Sequence, residues 1–188
     1  MKKIISALAI TLLLQFTFAQ STHMTFKGIE IDGTRSEFSA KLVQDGFNIL
    51  SQNEDAVILI GKFAGEDVTV AVLSTQDGTV WKVGVFFEET DSWMKLKYDY
   101  ENFKKALTNK YGKGRSYEFF KEPYYEGDGY EMAALKMEKC VYSTFYDTEN
   151  GSISLELSKF KHVTITYEDK INTEKKNQKK EQKYYDDL

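Results

Sequence analysis

The chain has 188 residues, 41% hydrophobic and 29% charged, with 25 basic and 29 acidic side chains and a net charge of −4. That length allows one domain or two small ones, and the balance is that of a folded globular chain rather than a disordered one. A single proline excludes a Pro-rich linker, and net acidity argues against nucleic-acid binding, which phosphate neutralisation drives.

Lys2 and Lys3 precede an apolar run from Ile4 to Leu14, followed by Phe18-Ala19-Gln20. A positive start, a short apolar stretch and a small residue at its end predict a secretory signal peptide over residues 1–19, cleaved after Ala19. The run is shorter than the roughly 20 residues that a spanning helix needs. No cysteine lies near the junction to carry a lipid. The expectation is therefore a periplasmic or secreted protein with no membrane anchor, made of one domain over 20–172 and a charged tail over 173–188.

Met24 to Ile31 reads as a short strand closed by Asp32-Gly33. Thr34-x-x-Glu37 is a capping-box signature and opens a helix over 34–45, with Phe38 and Leu42 on one face and Gly46 as its stop. Ala56–Phe63 is a dense apolar run. Val68, Val70 and Val72 alternate with smaller residues, and Asp77-Gly78 signals a hairpin. Beyond it Trp81, Val83, Val85 and Phe87 share a face. Asp91 can cap a second helix over 92–111, in which Trp93, Leu96, Tyr100, Phe103 and Leu107 recur at spacings of 3, 4, 3 and 4. That is one helical stripe of core type. Strands are expected over Ser116–Lys121, Tyr130–Met137, Val141–Asp147, Ser152–Leu157 and Val163–Tyr167, with a hairpin turn at Asn150-Gly151. The tail from Glu174 has almost no apolar period and reads as a frayed helix or a disordered extension. Its lysines would suit an acidic partner.

The two halves rhyme. Phe38-x-x-x-Leu42 before Gly46 matches Phe103-x-x-x-Leu107 before Gly112, and residues 75–80 match residues 148–153. The reading is an α+β fold, two helices packed on a largely antiparallel sheet, built as a tandem α-β-β-β-β repeat with units over about 24–90 and 91–168. The second copy is longer between Gly112 and Tyr130. That insertion holds the proline, two glycines and three tyrosines, so Tyr124, Tyr125, Asp128 and Tyr130 are the candidate binding residues.

His23-Met24-x-Phe26-x-Gly28-Ile29, Asp32-Gly33-Thr34, Gly61-x-Phe63-Ala64-Gly65, Lys110-Tyr111-Gly112, Cys140 and Asp169-Lys170-Ile171-Asn172 together resemble a family of small secreted proteins of gut Bacteroidetes. Glu30 and Gly114 stand where that family tends to have proline. The family has no assigned biochemical activity, so the resemblance implies no catalytic residue here. The tandem plan is similar in topology to β-lactamase inhibitor proteins and to small outer-membrane assembly lipoproteins, and fold does not fix function.

Catalytic signatures are weak. His23, expected to be solvated, and His162, expected to be exposed, lie far apart in sequence and with Cys140 make a poor zinc set. Cys140 is the only cysteine, so no intrachain disulfide is possible, and a buried inert thiol is expected. Residues 126–131 lack the alternating oxygen ligands of a calcium loop. No nucleophile elbow, phosphate-binding loop or dinucleotide fingerprint occurs. The functional expectation is a non-enzymatic binding module with a protein or glycan ligand and no cofactor, acting through a sheet face and the tyrosine loop. An inhibitor or chaperone-like envelope factor is the alternative, and an enzyme with a carboxylate site the third reading.

Overall fold

The computed structural model describes residues 23–186; the expected signal peptide lies outside them. A hairpin comes first, β1 (Thr25–Phe26) against β2 (Ile29–Glu30), so the strand expected over 24–31 is folded in two. Lys27 (φ 51°) and Gly28 (φ 78°) both adopt left-handed backbone, which is what a two-residue hairpin turn requires. Helix α1 (Arg35–Gln44) has the expected capping box. Thr34 Oγ1 accepts the Glu37 N–H at 3.3 Å, and Glu37 Oε2 accepts the Thr34 N–H at 3.0 Å.

Strands β3 (Asn48–Gln52), β4 (Ala56–Phe63), β5 (Glu66–Ser74) and β6 (Val80–Phe86) follow as an antiparallel meander. Helix α2 (Trp93–Tyr111) is capped by Ser92 and not by Asp91: Ser92 Oγ accepts the Lys95 N–H at 3.3 Å, and Asp91 pairs with Lys161 at 2.6 Å. Then come β7 (Arg115–Phe120), α3 (Glu131–Lys136), β8 (Cys140–Asp147), β9 (Gly151–Leu157), β10 (Val163–Asp169) and α4 (Lys170–Asp186). The described residues thus hold four helices, not the expected two. Helix α3 replaces the strand expected over 130–137, because Glu131, Met132, Ala133, Ala134 and Leu135 are all strong helix formers. Helix α4 takes up the stretch expected as a tail.

The fold is mixed α+β. Its eight-stranded antiparallel sheet runs in the order β3-β4-β5-β6-β10-β9-β8-β7. The matching segments around Asp77-Gly78 and Asn150-Gly151 do not occupy equivalent hairpins. The first joins the third and fourth strands of its meander, and the second joins the second and third.

One face of the sheet is core. Leu59, Val70, Val85, Ile165, Leu155 and Thr144 are register partners across six strands, and all are buried. Helix α1 adds Phe38 and Leu42 to this core, and α2 adds Leu96, Tyr100 and Leu107. Each such aliphatic side chain contributes about 1.5–3 kcal/mol when fully buried. Thr144, the polar member of the row, shares a hydrogen bond of 2.7 Å with the Tyr100 hydroxyl and one of 2.9 Å with Ser116 Oγ, so its burial leaves no orphan.

Strand β10, last along the chain and central in the sheet, is stapled to the start of the described chain. Asp169, fully buried, accepts the Met24 N–H at 2.7 Å and the Asn172 N–H at 2.8 Å. His23 is not solvated as expected. Its Nδ1 lies 3.2 Å from Asp169 Oδ2 and its Nε2 lies 3.7 Å from Asp32. Asn172 donates through Nδ2 to the carbonyls of Ile31 and Val80 at 3.1 and 3.0 Å, which fixes the first turn of α4.

Candidate functional site on the second face of the sheet

Strand side chains alternate faces, so the buried row above dictates what lies behind it. Ile60, Thr69, Phe86, Thr164, Glu156, Ser143 and Tyr117 are register partners across seven strands. A second row sets Ile58, Ala71, Gly84, Thr166, Ser154 and Phe145 side by side. The middle of this face is short and polar, and its flanks are apolar. Most of these residues are half-buried; Ile60 and Tyr117 are exposed. Gly84 has a packing reason, since a Cβ there would stand 3.1 Å from the Phe86 ring, which lies along the sheet surface.

Two depressions lie on this face. One, of about 410 Å³, is lined by Ser143, Glu156, Thr164 and Thr166, with Val141 and Phe160 among its other neighbours. The second, of about 520 Å³, lies between Ile60, Thr69 and Phe86. Phe86 and Phe160 are linked through His162, whose ring meets Phe86 edge-on at 5.8 Å and stacks on Phe160 at 6.3 Å. His162 is thus half-buried rather than exposed, and burial lowers its pKa against the opposing pull of Glu89. Phe160 sits on the turn between β9 and β10, closed by the Lys161 N–H donating to Ser158 O at 2.9 Å, and is 62% exposed. A flat ring beside hydroxyls and one carboxylate offers stacking, donors and acceptors within one shallow surface.

The tyrosine loop lies elsewhere. Glu126 pairs with Lys97 of α2 and accepts the Tyr142 hydroxyl at 3.3 Å, so the loop is anchored on the helix-covered side. Asp128 is an organiser of the loop: it accepts the Tyr125 N–H at 3.1 Å and the Tyr130 N–H at 2.7 Å. Tyr124 packs against the core and points its hydroxyl at Met137 Sδ, 3.3 Å away. Tyr125 and Tyr130 are exposed. None of these four residues lines the depression beside Phe160.

Cys140 is buried at the start of β8. Burial first, then the carboxylates of Glu126 and Glu131, push its thiol up to about 12. No cluster of metal-ligating side chains occurs among the described residues, and no helix there is long and apolar enough to cross a membrane. The sheet-face residues were missed in the sequence because a solvent-side strand position carries no mark beyond polarity. The one available signal was Phe160 within the turn segment Ser158-Lys159-Phe160-Lys161-His162, since a large ring in a turn has no core to fill.

The chain matches no family model, no curated protein and no solved structure.

Proposed function

We propose that this protein is a non-enzymatic binding module of the cell envelope or the extracellular space, and that its ligand, a glycan or a protein, lies on the second face of the sheet. The observation that carries this reading is the continuous row from Ile60 to Tyr117: short polar side chains in the middle, exposed or half-buried apolar ones on the flanks. Its stacking ring, hydroxyls and carboxylate are the groups that hold a sugar, so a glycan is the first ligand to test and a protein surface the second. Export by a signal peptide over 1–19 belongs to the same proposal. So does the descent of the sheet from two α-β-β-β-β units. What supports the latter is the strand order, in which β3–β6 and β7–β10 are two meanders meeting at their last strands.

A glycan array and an affinity capture from envelope extract test the reading, each run with the protein and with Phe160→Ala. Binding that the substitution removes while the melting temperature holds supports the proposal. Binding indifferent to Phe160 and to Glu156→Gln removes it.

A further inference from the structure

Helix α4 carries lysine where a packed helix carries apolar residues. Asn172, one turn into it, is 1% exposed and bonded to the core. The positions that continue this inward stripe at helical spacing are Lys176, Lys179 and Lys183. Lys176 places its ammonium 3.5 Å from the centre of the Trp81 ring, and Lys179 pairs with Asp77 at the turn between β5 and β6. These three and Lys180 line one wall of a cleft of about 670 Å³, and Asp55, Ser74, Thr75, Gln76 and Asp77 line the other. Lys180 and Lys183 form no ion pair among the described residues.

Two features mark this cleft out from an ordinary solvated lysine face. The first is charge. Four ammonium groups face two carboxylates, an excess of +2 inside a chain whose net charge is −4. The second is the pair Lys180 and Lys183, two cleft lysines with no carboxylate partner among the described residues.

We infer that the cleft between α4 and the β5–β6 turn binds a small soluble ligand through a phosphate group. A phosphate carries about −1.5 to −2 charges at neutral pH, which matches the excess, and offers several strong acceptor oxygens for lysine ammoniums. A membrane headgroup has the same chemistry. Lys179, Lys180 and Lys183 are exposed, so a vesicle arm in the experiment separates the two sources. This site is independent of the sheet-face reading, since none of its residues lines the depressions there.

Titration calorimetry with inorganic pyrophosphate at constant ionic strength tests it, in parallel with sedimentation on phosphatidylglycerol vesicles. The expected result is saturable one-to-one binding of pyrophosphate and no vesicle association. Lys180→Gln with Lys183→Gln lowers affinity by about tenfold or more, while Lys105→Gln with Lys113→Gln, an equal charge change on exposed lysines within α2 and just past its end, leaves it within about twofold. Absence of saturable binding overturns the inference. So does equal weakening by both lysine pairs, which is general attraction, or vesicle binding that replaces pyrophosphate binding.

Discussion

The buried carboxylate of Asp169 accepts the backbone N–H of Met24 at 2.7 Å, so β10, the last strand along the chain and a central one in the sheet, holds the first described residues in place. The same carboxylate accepts the Asn172 N–H, and two backbone donors therefore depend on one side chain. Asp169→Ala strands both. Unpaired buried donors cost about 1–3 kcal/mol each, so urea unfolding should show a loss of about 2–5 kcal/mol, against about 1 kcal/mol for an average substitution.

Tyr124 and Tyr125 are neighbours with opposite fates. Tyr124 is packed and Tyr125 is 64% exposed. Tyr124→Ala should cost about 1–3 kcal/mol, and Tyr125→Ala less than about 0.5 kcal/mol. At about 2–4 °C per kcal/mol for a chain of this size, two melting curves separate them.

Cys140 should label slowly. Its thiol is 5% exposed and pushed up to about 12, so little thiolate exists at mildly alkaline pH and reagents reach it only through opening of the structure. Reaction with a thiol reagent should accelerate by orders of magnitude in denaturant. A native rate equal to that of the unfolded chain contradicts the burial described here.

His162 links stability to pH. Its pKa is lowered from 6.5 in the folded protein, so the unfolded chain binds its proton first as pH falls. Between the unfolded and the folded value the unfolded state carries more protons, and stability rises with pH there. Folding free energy should decline as pH drops through 6.5 and level off below the folded value. His162→Gln should flatten that part of the profile relative to the parent protein.

Some of this was legible in the residues. Thr34 and Glu37 announce α1 because a capping box satisfies two orphan donors within four residues, and the stripe from Trp93 to Leu107 announces α2 because a long helix on a sheet needs one apolar side. Strand β3 gave no such pattern: all five of its residues are exposed at the sheet edge, and without a buried face nothing enforces alternation. Helix α3 was mistaken for a strand because its apolar cluster outweighed the helix propensity of Ala133 and Ala134. The part Asp128 plays in shaping its loop, accepting the Tyr125 and Tyr130 N–H groups, was not legible, because sequence does not show which way a loop carboxylate turns. The ring series Phe86, His162, Phe160 was invisible, since it depends on β6 and β10 being adjacent although they are distant along the chain.

That adjacency decides how the molecule can be divided. The seam between β6 and β10 rests on five register pairs, and the backbone crosses it once, in the connector leading to α2. Glu88 and Glu89 in that connector are exposed. A chain severed there yields two pieces, one with α1 and the β3–β6 meander and the other with α2, α3, α4 and the β7–β10 meander, whose cut ends lie at the surface. The seam, with the Met24–Asp169 and Asn172–Val80 bonds, remains to hold them. Chain continuity is not what closes this sheet, and the two pieces have the makings of a split reporter that reassembles when its halves are brought close.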